Sequence, residues 1–143
     1  MIYLMLFCFS FSAFAQETKN ETIISKPSVG AFCELNKVFL EKLFIEQKKN
    51  NERIFVISNS GDKEKLNIRQ FRLNSARTFL IRMMKFAEDN IVFAEDDARS
   101  EAGALRFYLG SRLFLVIEQP FNKISCFTCC ENFIPKKTKT RKN

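Results

Sequence analysis

The feature that most limits how this chain can fold is Ile54-Phe55-Val56-Ile57, an unbroken apolar run with Asn51-Glu52 before it and Ser58-Asn59-Ser60-Gly61-Asp62 after it. Successive side chains of a strand point to opposite faces, so an apolar run of this length asks for cover on both sides. Such a strand needs strand neighbours and helices around it. The flanking segments supply helical patterns. From Cys33 to Lys49, Leu35, Val38, Phe39 and Leu43 fall on one face, and from about Lys65 to Ala87 a second stripe is formed by Ile68, Phe71, Ala76, Phe79, Leu80 and Met83. Ile91-Val92-Phe93-Ala94 reads as a second strand closed by Glu95-Asp96-Asp97. A third strand comes from the alternation of Leu105, Phe107 and Leu109 with Arg106 and Tyr108, and a fourth from Leu113 to Ile117. Gly110-Ser111 between them is a two-residue link of the glycine-first hairpin kind. The order helix, strand, helix, strand, strand, strand predicts an α+β fold, with two helices packed on one face of a small mixed β-sheet.

The chain opens on a different kind of segment. Met1 to Ala15 carries no charge, is almost wholly apolar and ends in Ala13-Phe14-Ala15, the small-x-small pattern of a cleaved export signal. It is shorter than the roughly 20 residues of a membrane span. Residues 1–15 are therefore expected to be removed, leaving an exported chain, periplasmic or extracellular, that starts at Gln16 and has no transmembrane segment. Residues 16–31, polar and holding Pro27 and Gly30, read as a linker, 32–134 as a single domain, and 135–143 as a disordered basic tail. The tail carries Lys136, Lys137, Lys139, Arg141 and Lys142, so +7 less +5 leaves the body only about +2. With that charge, no Trp and two Tyr, the body has neither the basic face nor the stacking platforms of a specific nucleic-acid binder. The tail suits a loose attraction to an anionic surface.

Four cysteines follow the leader: Cys33, and Cys126, Cys129 and Cys130 near the end. In an exported chain an even count reads as disulfides. Adjacent Cys129 and Cys130 reach disulfide geometry only with strain. Two pairings remain open, Cys33 to Cys129 with Cys126 to Cys130, or Cys33 to Cys130 with Cys126 to Cys129. Each ties the C-terminal extension to the start of the domain. A single Cys-x-x-Cys with one remote Cys is a weak zinc pattern in an oxidising compartment, and covalent haem needs a His that this chain lacks. No metal or other cofactor is expected.

The run Arg72-Leu73-Asn74-Ser75-Ala76-Arg77-Thr78-Phe79-Leu80-Ile81, followed by Asn90-Ile91-Val92-Phe93, resembles the periplasmic C-terminal domain of outer membrane protein A, the OmpA-like peptidoglycan-binding family. In that family an Arg stands eight residues before a Leu that follows an aromatic, with a strand about ten residues on. The resemblance covers residues 34 to about 117. It implies a sandwich of the OmpA C-terminal type with a cysteine-clasped extension, and a partner in peptidoglycan or another anionic envelope component. It carries over Arg72 as the ligand-binding residue, with Asp62 as the displaced counterpart of the family's loop Asp. Independently, a helical wheel places Arg72 inside the arc of Ile68, Ala76, Phe79 and Met83. A buried guanidinium must find an anion. Either an internal carboxylate meets it, with Asp62, Asp96 or Asp97 in reach, or a ligand does.

Without His, the familiar Ser/His and Cys/His nucleophile pairs are unavailable. Glu95-Asp96-Asp97 beside Arg99 and Glu101 reads as a charged turn rather than an acid/base site. The expected role is a non-catalytic envelope protein, either a binding module or a scaffold that has kept the fold and lost the ligand.

Overall fold

The computed structural model describes residues 21–27, 32–65 and 67–123. The leader, the basic tail and Cys126, Cys129 and Cys130 lie outside the described residues, and Cys33 belongs to the first turn of a helix. The chain runs β1 (Ile23–Ser25), α1 (Phe32–Asn50), β2 (Ile54–Gly61), α2 (Ile68–Thr78) with a π-helical turn (Phe79–Met83), a short 3-10 turn (Glu88–Asn90), β3 (Ile91–Ser100), β4 (Ala104–Leu109) and β5 (Arg112–Glu118). It is an α+β fold on a five-stranded mixed sheet of order β1-β5-β4-β2-β3. The outer pairs β1·β5 and β2·β3 are parallel, whereas β2·β4 and β4·β5 are antiparallel.

Register shows which face is covered. Ile54 pairs with Leu109 and Ile91, Val56 with Phe107, and Phe107 with Leu115. These residues are buried, and they share one core with Leu40 and Leu43 of α1 and Leu73 and Ala76 of α2. Both helices therefore pack on the same face. The side chains between them in sequence point the other way, and Phe55, Ile57, Tyr108 and Val116 are only half-buried there.

The span read as a polar linker contains β1. Ile23 pairs with Leu115, and Ser25 Oγ donates to Asn36 Oδ1 at 2.7 Å in a buried bond that ties this short edge strand to α1. The buried stripe of α1 is Asn36, Leu40, Leu43 and Gln47, while Val38 is 55% exposed. Polar residues at both ends of the stripe hide it from a hydrophobic count. In α2 the buried residues are Arg72, Leu73 and Ala76, and Phe71 and Met83 face solvent. The π-helical turn, where Met84 N–H donates to Phe79 O at 3.1 Å, adds one residue to the turn. A 3.6-residue pattern carried past it slips by about 100°, which turns Met83 outward.

Both polar runs expected to end strands are instead strand. Ser58, Asn59, Ser60 and Gly61 extend β2, all of them buried, and Glu95, Asp96 and Asp97 lie within the ten residues of β3. Ladder bonds satisfy their backbones: Ser58 pairs with both Leu105 and Glu95. The expected hairpin link is present, with Gly110 at φ 58° between the paired Leu109 and Arg112.

Candidate functional site

Where β2 ends, the chain turns through Asp62, Lys63 and Glu64 into α2. Glu64 N–H donates to Gly61 O at 3.1 Å, and Gly61 N–H returns a bond to Glu64 Oε2 at 2.7 Å. This small reciprocal turn points the Glu64 carboxylate inward, towards Arg72. The guanidinium meets it fork to fork, Nη1 to Oε2 at 2.6 Å and Nη2 to Oε1 at 2.5 Å. The side chains are 0% and 2% exposed.

The segment after β5 completes the enclosure. Arg72 Nε donates to Lys123 O at 3.0 Å and Nη2 to Pro120 O at 3.1 Å, while Asn122 N–H donates to Glu64 Oε1 at 2.8 Å. Arg72 thus makes four hydrogen bonds and Glu64 accepts four, so the desolvation of both charges is offset by paired partners. Burial pushes the Glu64 carboxyl up. The bonds from Arg72, Gly61 and Asn122, with the Arg72 charge, outweigh it and hold the pKa below its ordinary value.

Gly103 allows the close fit. A Cβ there would lie 2.1 Å from Arg72 Nη1 and 2.3 Å from Glu64 Oε2. Backbone bonds lock the neighbouring turns around the pair: Gln119 N–H donates to Gly103 O at 2.8 Å and Asp62 N–H to Ser100 O at 2.9 Å. One ion pair therefore joins the β2–α2 turn, helix α2, the β3–β4 turn and the segment after β5.

The two ligand candidates stand apart in exposure. Arg72 is sealed, whereas Asp62 is exposed on the rim of a cleft of about 380 Å³, beside Glu101, Pro120 and Phe121. The internal carboxylate of Arg72 is Glu64 and not Asp62, Asp96 or Asp97. Asp96 accepts from Ala98 N–H through Oδ1 at 2.9 Å. Asp97 and Glu95 belong to Arg69, at 2.6 Å and 2.7 Å. The Glu95 bond raises the Arg69 pKa, burial works against it, and Asp97 adds to the rise. Glu64 escapes notice because Glu in a polar turn looks solvated. Its position eight residues before an Arg on an apolar stripe is the signal that could have found it.

Among the described residues, no group of three or more carboxylates or thiols is gathered as a metal site, and no helix is long and apolar enough to cross a membrane. No family model, curated protein or solved structure matches the chain.

Proposed function

We propose that this chain is an exported, non-catalytic envelope domain of the OmpA C-terminal type that serves as a structural or interaction scaffold and has lost the peptidoglycan ligand. The observation that carries this reading is the closed state of Arg72, whose fork is spent on Glu64 and on two carbonyls of the chain itself. A guanidinium with no free edge has nothing to offer a carboxylate from outside. The cysteines, with either pairing, would clasp the C-terminal extension to α1, and the basic tail would add a loose attraction to anionic polymer.

A second reading has its own support. The Arg72 fork with the N–H groups of Gly61 and Asn122 makes a carboxylate cage, and Glu64 is its present occupant. In a binding module, a peptidoglycan carboxylate would displace Glu64, with Asp62 at the lip of the cleft. Sedimentation with purified sacculi separates the two. In salt high enough to screen the basic tail, the scaffold reading expects wild type, Arg72→Ala and Glu64→Ala to stay in the supernatant. Retention of wild type, its loss in Arg72→Ala and its increase in Glu64→Ala would establish the binding module instead.

A further inference from the structure

The turn that closes over Arg72 has little apolar hold on the domain. From Pro120 to Lys123 the chain reverses, with Lys123 N–H donating to Pro120 O at 3.0 Å. Asn122 takes the third position of this turn at φ 51°, a conformation that favours Gly or Asn. None of the four residues belongs to the hydrophobic core. Phe121, the large apolar side chain among them, is 62% exposed, and Asn122 and Lys123 are exposed as well.

What fastens the turn is polar, and it is fastened to one short stretch of chain. Asn122 N–H donates to Glu64 Oε1 at 2.8 Å, and Lys65 N–H donates to Asn122 Oδ1 at 3.2 Å. Arg72 donates from Nε to Lys123 O at 3.0 Å and from Nη2 to Pro120 O at 3.1 Å. Water replaces bonds of this kind when a turn lifts, so their net hold is modest. The residue before the turn is anchored differently. Gln119 is buried, its N–H donates to Gly103 O at 2.8 Å, and its Nε2 donates to Ile117 O at 3.0 Å. The part free to move therefore begins at Pro120.

We propose that Pro120–Lys123 is a strap that opens as a local unit while the domain stays folded, and that this strap, rather than Glu64, gates access to Arg72. Opening frees the Nε and Nη2 edge of the guanidinium, which the two strap carbonyls now fill, and leaves the fork to Glu64 intact. Pro120 and Phe121 also line the cleft that Asp62 rims, so a lifted strap joins that cleft to the guanidinium. The gate belongs to the closed site itself and holds under either reading of its ligand.

The Nε–H of Arg72 reports on the strap directly, because Lys123 O is its acceptor. Its hydrogen exchange, followed by NMR in the full chain, should be insensitive to sub-denaturing urea, since opening exposes little apolar surface. The backbone amide of Phe107, at the centre of the sheet, should speed up with urea. Asn122→Pro removes the N–H given to Glu64 and forces φ to about −65°, which unlatches the strap. The Arg72 Nε–H should then exchange about tenfold faster or more, towards the rate of the exposed Arg82, with Phe107 unchanged. Asn122→Gly keeps both the N–H and the positive φ, and should stay close to wild type. An Arg72 rate that climbs with urea in step with Phe107 overturns the proposal. So does an Nε–H that stays protected in Asn122→Pro, or a Phe107 amide that loses protection to the same extent.

Discussion

Arg69 and Arg72 sit three residues apart on one helix and both hold carboxylates at hydrogen-bonding distance, but only one of them organises the fold. Arg69 meets Glu95 and Asp97 at the surface, where the Asp97 side chain is 92% exposed and water competes for every charge. Arg72 meets Glu64 where neither group sees water. The same chemistry is a loose tether in one place and a structural joint in the other. An exposed pair contributes about 0 to 1 kcal/mol because solvent screens it. Removing one partner of a buried pair strands an uncompensated charge, at about 3 to 5 kcal/mol.

The largest expected effect follows directly. Arg72→Ala should destabilise by about 3 to 5 kcal/mol, a large part of the roughly 5 to 15 kcal/mol of a typical domain. Chemical denaturation checks this, and a loss below about 1 kcal/mol would place Arg72 in the class of Arg69. Gly103→Ala comes next, because its methyl group would overlap both partners of the buried pair. Overpacking of this kind costs about 1 to 3 kcal/mol, and unchanged stability would mean the joint is looser than its geometry.

Acid gives a smaller, graded effect whose sign can be worked out. The Glu64 pKa is lowered in the folded state from a reference of 4.5, so its contribution is fully present above about 4.5 and is lost as pH falls through the folded value. Wild type should therefore lose thermal midpoint below about pH 4.5, and Glu64→Gln, though less stable throughout, should be flatter in that window. Parallel curves for the two proteins would remove Glu64 as the source. Smallest of all, Arg69→Ala should leave the stability almost unchanged, and the remaining difference should shrink at high salt. A loss as large as that of Arg72→Ala would erase the contrast between the two sites.

The helical and strand periodicities were legible where side chains follow a simple rule. Helix α1, the cores of β2 to β5 and the Gly110 hairpin all appear in the sequence pattern because 3.6- and 2-residue spacing depend only on local geometry. The misses share a physical cause. β1 is three residues in a polar stretch and exists only because β5 presents it an edge. Ser58 to Gly61 and Glu95 to Asp97 look like strand ends because their side chains are polar. Their backbones continue the ladder all the same, with Asn59 met by Ser100 and Arg106, and Glu95 and Asp97 met by Arg69.

For the candidate site the division is sharper. A wheel places Arg72 on the buried side of α2, since that depends on helical phase alone. Naming its partner required the path of the chain, because Glu64 reaches Arg72 through one turn while Pro120, Asn122 and Lys123 arrive from about fifty residues further along. By itself the sequence determined helix α1, the cores of β2 to β5, the burial of Arg72 and the demand that some anion meet it, all consequences of local geometry and of the cost of an unpaired buried charge. Only the tertiary structure decided which carboxylate answers and that the site is closed, because that depends on which distant backbone groups converge where Gly103 leaves room for them.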